Sequence, residues 1–210
     1  MKTFRRLLVV VLAAMIMIPI FNACKKGAED PSFSFYSRKH RLCQDWGFSF
    51  YKRVEQTNNN SNSFEFDGSS LITSYSNYRY VSHATMKISF NKDGGYLWDQ
   101  YVSTDTSTYS FKEEGSWYFS GGGKDSDTKY KELLGLQPTK TTTVLQINAN
   151  TTTTIWAGTG DLAARVYKII KLASDEVKLS MKDETTYIVS NPNSSDLSII
   201  SEEINLKKNL

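Results

Sequence analysis

The chain is poor in the residues from which catalytic and metal centres are usually assembled. Its 210 residues include two cysteines, Cys24 and Cys43, and two histidines, His40 and His83. Neither histidine stands in a His-x-x-x-His or His-Glu-x-x-His spacing, so a histidine-based metal site is excluded. A nucleophilic Cys43 would need an activating base, for which only His40 and His83 exist. Beside Leu42 and close to Trp46, Cys43 reads as a buried structural thiol, the usual state of free cysteine. There is no Gly-x-Ser-x-Gly elbow for a serine nucleophile. Gly123-Lys124 is followed by Asp125 rather than Ser or Thr, and the leading glycine of a phosphate loop is missing. Asp125 and Asp127 open like a calcium loop, but Lys129 takes the next ligand position and no glycine follows where the turn needs one. Glu113-Glu114, with Asp93 and Asp99 nearby, are the carboxylates to weigh for sugar chemistry. Adjacent residues of a strand point to opposite faces, so that pair does not share a substrate. The expectation is a non-enzymatic protein with no catalytic residue, metal or cofactor.

Hydrophobic runs are short after the N-terminus. Leu7 to Phe21 is apolar apart from the Pro19 break and follows Lys2, Arg5 and Arg6. It is short for a spanning helix, which needs about 20 residues, and its basic leader is that of an export signal. With Phe21-Asn22-Ala23-Cys24 behind it, this region resembles a bacterial lipoprotein signal. The commonest box has Leu three residues before the cysteine and Ala or Ser two before; the relaxed version here is similar to those of Bacteroidetes-type bacteria. The resemblance implies cleavage after residue 23 and several acyl chains on Cys24, each buried methylene contributing roughly 0.8 kcal/mol of anchoring. Lys25-Lys26 after the cysteine implies, by the same resemblance, the outer membrane, on its periplasmic or its surface face. Lipidation of Cys24 leaves Cys43 without a disulfide partner.

The surplus of positive charge belongs to that signal. The whole chain has 25 Lys+Arg against 22 Asp+Glu. Residues 1–23 remove Lys2, Arg5 and Arg6 and no acid, leaving 22 of each. A neutral domain lacks the basic footprint of a nucleic-acid binder. One dense cluster remains, Arg38-Lys39-His40-Arg41, which reads as a solvated helix face or as a contact for anionic lipid or lipopolysaccharide phosphates. Residues 24–34, punctuated by Gly27 and Pro31, read as a lipid-anchored tether, and residues 35–210 suit one domain.

Within that domain the periodicity is that of strands. Met86, Ile88 and Phe90 alternate with Lys87, Ser89 and Asn91, one face dry and one wet. Asn91-Lys92-Asp93-Gly94-Gly95 is a hairpin signal, and Tyr96 to Val102 returns from it. A polar loop around Ser103 to Ser107 leads to a strand near Tyr109 to Lys112. Trp117 and Phe119 point one way while Ser116, Tyr118 and Ser120 point the other. Val144 to Ile147, Arg165 to Leu172, Val177 to Met181, Tyr187 to Val189 and Ile199 to Leu206 complete the series, with a tight turn at Ser174-Asp175-Glu176. Thr57 to Ser63, Gly121 to Asp127 and Asn148 to Thr154 read as surface loops or hairpin tips. The Thr tracts at Thr141 to Thr143 and Thr151 to Thr154 suit edge strands reaching into solvent. Helical signals are confined to Phe35–Leu42 and Tyr130–Leu136. About eight to ten short strands argue an all-β antiparallel barrel with a short N-terminal helix, a β-sandwich being the alternative.

These residues carry a second resemblance. A short helix leading into Gln44-Asp45-Trp46, the hairpin Ile88 to Tyr96, and Glu114-Gly115-Ser116-Trp117 are similar to the lipocalin-like lipoproteins of Bacteroidetes-type bacteria. Those open with Gly-x-Trp on the first strand, pass a Phe-x-x-Asp-Gly-x-Tyr hairpin and continue to a Gly-x-Trp strand. Here the first glycine is replaced by Gln44, whereas Gly115-Ser116-Trp117 keeps the pattern. The resemblance implies a barrel with an interior cavity. Trp46 and Trp117 read as core plugs.

Two functions follow. A carrier would hold a small apolar or amphipathic molecule in the barrel, and needs an enclosed apolar cavity of roughly 300 Å³ or more. An interaction module would have a filled core and bind a protein or glycan on its loops, through an exposed aromatic or apolar patch. Of the aromatic residues Tyr75, Tyr78, Tyr80, Tyr96, Trp98 and Tyr101, the ligand-binding candidates are Tyr80, Trp98 and Tyr101.

Overall fold

The computed structural model describes residues 28–31, 34–57, 60–75, 77–122, 131–157, 164–188 and 195–208. The signal segment, Cys24 and the Asp125–Asp127 stretch lie outside them. Among the described residues one short helix, α1 (Arg38–Leu42), precedes eleven strands. They are β1 (Asp45–Thr57), β2 (Asn60–Phe66), β3 (Ser70–Tyr75), β4 (Tyr78–Phe90), β5 (Gly95–Ser103) and β6 (Ser107–Ser120), then β7 (Leu133–Ile147), β8 (Asn150–Ala157), β9 (Arg165–Leu172), β10 (Glu176–Ile188) and β11 (Ser195–Lys207). All pairings are antiparallel, and they close a ten-stranded lipocalin-like barrel in the order β1-β2-β3-β4-β5-β6-β7-β9-β10-β11, with β11 returning to β1. The architecture is therefore a closed barrel and not a sandwich. β8 is the extra strand, paired with the far half of β7.

The two ends of the barrel are built differently. At the end near α1, the first residues of β1 pair directly with β4, Asp45 to Gly47 opposite Ser89 to Lys87. The ring there has eight strands, a circumference that side chains can fill. Trp46, Phe48, Ile88, Phe90, Trp117, Leu134, Leu136, Tyr167 and Leu206 fill it, all buried. Burying each such side chain contributes on the order of 1.5–3 kcal/mol. Farther along, the β2–β3 hairpin inserts between β1 and β4 and widens the ring.

Local chemistry explains the elements. Met86, Ile88 and Phe90 all face the core. The β4–β5 hairpin closes with Asn91 N–H donating to Gly95 O at 2.8 Å, and Gly94 takes φ +99°, which a side chain would disfavour. Ala173 N–H donates to Glu176 O across the tight turn at Ser174–Asp175. Ser37 caps α1 by accepting from the backbone N–H of His40. The Thr-rich hairpin β7–β8 extends into solvent, and every residue of β8 is exposed.

Three expectations are corrected. The helical turn expected at Tyr130–Leu136 does not form over the described residues 131–136: β7 starts at Leu133, because Leu134 and Leu136 face the core opposite Phe119 and Trp117, and packing overrides propensity. Thr57 to Ser63 is mostly strand, β2 pairing from Asn60 onward with β1. The basic run of α1 is solvated only at Lys39 and His40. Arg38 and Arg41 are buried, Arg38 paired with Asp30 and Arg41 donating to Leu172 O at 2.5 Å. The preceding segment is docked as well: Asp30 is buried and accepts from Leu172 N–H at 2.6 Å, and Glu29 N–H donates to Ile170 O at 2.8 Å.

Candidate functional site: the open half of the barrel

Where the β2–β3 hairpin widens the ring, side chains no longer fill it, and a cavity of about 450 Å³ opens toward the end opposite α1. Its apolar wall is Phe64, Leu71 and Val102, with the rings of Tyr51 and Tyr109. Its polar wall is Arg53, Glu55, Thr73, Ser82 and Gln100. The volume is sufficient for a small organic ligand, but the cavity is open at the mouth and mixed in polarity rather than enclosed and apolar. The barrel is thus compatible with binding a ligand in its interior.

Beneath the cavity lies a belt of buried ionisable groups. Glu202 is 0% exposed. It accepts from Tyr167 Oη at 2.5 Å and from the Arg53 guanidinium at 2.7 Å. Arg53 also holds Glu55 through Nε at 2.7 Å. Glu113, buried as well, accepts from Tyr96 Oη at 2.8 Å and pairs with Arg165. Burial and the adjacent Glu202 push the Tyr51 and Tyr167 phenols far above their ordinary range, and burial and Glu113 do the same to Tyr96. Burial opposes the charge of Arg53 and Arg165, but the surrounding carboxylates and phenols outweigh it, and both are held more firmly protonated than usual.

Trp98 joins belt to cavity. Its ring packs on Phe48 at 4.8 Å and meets Tyr51 edge-on at 5.8 Å, with Arg165 lying 5.1 Å over it. Its buried indole N–H has no hydrogen-bond partner. Among the sequence candidates, Trp98 is therefore deep in the floor. Tyr80 sits opposite cavity-lining Thr73, so it shares the inner face, and it is exposed at the mouth. Tyr101 lies between cavity-lining Gln100 and Val102 and is exposed on the outer face. The three are not brought together. Trp46 and Trp117 are both buried, their indole N–H groups donating to Leu42 O at 2.9 Å and Asn91 O at 3.0 Å.

Sequence reasoning missed Arg53, Glu55, Phe64, Leu71 and Thr73. The available signal was alternation: from Tyr51 onward every second residue of β1 faces inward. A bulge between Phe48 and Phe50 shifts the phase, so counting from Trp46 puts the wrong residues inside. Glu113 and Glu114 do point to opposite faces, Glu114 meeting Lys140 at 3.3 Å outside the barrel. Cys43 is half-buried, donates to Asn91 O at 3.5 Å, and burial raises its thiol pKa, away from nucleophilic character. Among the described residues no group of three or more His, Cys, Asp or Glu side chains could hold a metal ion.

Fold and cavity together define a lipocalin-like antiparallel barrel, plugged at one end and open at the other. No family model, curated protein or solved structure matches the chain.

Proposed function

We propose that the chain is a non-enzymatic envelope lipoprotein, held at a bacterial outer membrane by lipid on Cys24, that carries a small apolar or amphipathic molecule in the open half of its barrel. The supporting observation is the 450 Å³ cavity, in which apolar Phe64, Leu71 and Val102 face polar Arg53, Glu55 and Gln100. A ligand with one polar and one apolar part satisfies both walls.

The interaction-module reading has one observation in its favour. Tyr78 is 67% exposed at the mouth and Trp156, on the protruding β8, is 61% exposed, where a protein or glycan would meet them. The two readings separate on one experiment. The protein is extracted from its own membranes and its mass measured under native conditions, beside a Ser82→Phe variant that fills the cavity. A carrier retains a small molecule that the variant lacks. Absence of any retained molecule in the unaltered protein, with a macromolecular partner bound equally by both, would favour the module. The Cys24→Ala variant tests the anchor: it leaves the membrane fraction, and its persistence there rejects lipidation at that residue.

A further inference from the structure

We propose that the ligand of this cavity is an organic cation, an amine or quaternary ammonium carrying an apolar chain; the inference rests on the carrier reading and specifies its ligand. The strand register supplies the first argument. Glu55 lines the cavity and lies opposite Ile200, which in turn lies opposite Asp183. Residues directly opposite share a face, so Glu55 and Asp183 both point inward, about 10 Å apart across two strand spacings. With Glu113 and Glu202 below them, the described inner face carries four carboxylates against the two guanidiniums of Arg53 and Arg165.

Both guanidiniums are already paired with carboxylates, and only the buried Nε of Arg165 lacks a partner. Arg53 is bound to Glu55 through Nε and Nη2, at 2.7 and 2.6 Å, and to Glu202 through Nη1 at 2.7 Å. Arg165 is paired with Glu113 and covers Trp98. An incoming anion would meet a net negative interior whose positive groups are already engaged. An incoming cation meets the reverse. Glu55 accepts from Arg53 through Oε1 and lines the partly solvated cavity.

The aromatic lining is the second, independent argument. Tyr51 and Tyr109 line the cavity. Above them Tyr75 meets cavity-lining Phe64 edge-on at 6.0 Å. Aromatic faces attract cations within about 6 Å of the ring centroid, most strongly where water is thinned out. Carboxylates at the centre with aromatic rings around and above them suit a cationic head, while Phe64, Leu71 and Val102 accommodate an apolar chain.

The test uses the full lipidated protein in nanodiscs, titrated calorimetrically against empty discs with three probes sharing one chain: octyltrimethylammonium, octan-1-ol and octanoate. The cation is expected to bind roughly tenfold or more tightly than octanoate. The Asp183→Asn variant, altered at the exposed mouth, should lower the ratio of cation to alcohol affinity, and Glu55→Gln should lower it further. Octanoate binding as well as or better than the cation overturns the inference and leaves the carrier reading intact. Failure of all three probes to bind overturns both. A cation preference that Asp183→Asn and Glu55→Gln leave unchanged also overturns the assignment.

Discussion

At the scale of single residues, the barrel interior places three phenols among carboxylates. Replacing a buried ion pair by apolar groups is often neutral, but removing one partner leaves the other charge without compensation and costs roughly 3–5 kcal/mol. Tyr51, Tyr96 and Tyr167 all have pKa values raised above the ordinary phenol range, by burial first and then by Glu202 or Glu113. The unfolded chain releases those protons at about pH 10, whereas the folded chain keeps them. Stability contributed by the protonated phenols is therefore complete below about pH 10 and falls as pH rises beyond it. Followed by phenolate absorbance, the signals of these three of the twelve tyrosines should appear only together with loss of near-ultraviolet circular dichroism. Ionisation of all twelve in a still-folded protein would contradict this. Tyr167→Phe removes the donor to Glu202 at 2.5 Å and should lower stability by about 1.5–3 kcal/mol in urea unfolding at neutral pH.

At the scale of elements, Gly115 shows why the Gly-x-Trp of β6 needs its glycine, whereas position 44 holds glutamine. A Cβ at Gly115 would stand 2.2 Å from Gln137 O and 2.9 Å from Pro138 Cα, both backbone atoms of β7. The β6–β7 register also shifts between Glu114 and Gly115. Gly115→Ala should therefore force the strands apart and lower stability by at least about 1–3 kcal/mol, read as a lower thermal midpoint; an unchanged midpoint would show that β7 yields freely. At the other position Gln44 uses its side chain, Nε2 donating to Arg41 O at 2.8 Å and Ser174 O at 2.9 Å. It ties α1 to the β9–β10 turn where glycine would only allow close approach. The elements legible in sequence were those whose alternation is strong and whose turns are marked by glycine, such as Met86–Phe90 and Asn91–Gly95. The β2–β3 hairpin escaped because β2 opens within an Asn- and Ser-rich run and its inward residues, Phe64, Leu71 and Thr73, are spaced across a turn. That hairpin widens the ring, so the cavity escaped with it. Arg53 and Glu55 read as surface residues until a partner on β11, Glu202, is brought to them from 149 positions away.

At the scale of the whole molecule, the lipid anchor proposed for Cys24 would lie at the opposite end from the mouth. Asp30 is tied to Leu172 and Arg38 at the plugged end. Only five residues lie between it and Cys24, a reach of about 20 Å when fully extended. β1 alone, with 13 residues, runs about 40 Å along the strand, or roughly 30 Å along a tilted barrel axis. On the proposed function, a lipid on Cys24 would hold the plugged end against the bilayer, with the cavity opening away from it. A ligand would then be taken from the aqueous side or from a facing surface, not drawn directly from the anchoring leaflet. Single labels test this in a Cys43→Ser background, with the fluorophore at Lys92→Cys beside the plug or at Asn150→Cys beside the mouth; both positions are exposed. In vesicles containing spin-labelled lipid headgroups, the label at residue 92 should be quenched strongly and that at residue 150 little. Equal quenching would place the barrel on its side, and the reverse order would turn the mouth to the membrane and make the anchoring lipid layer itself the source of the ligand.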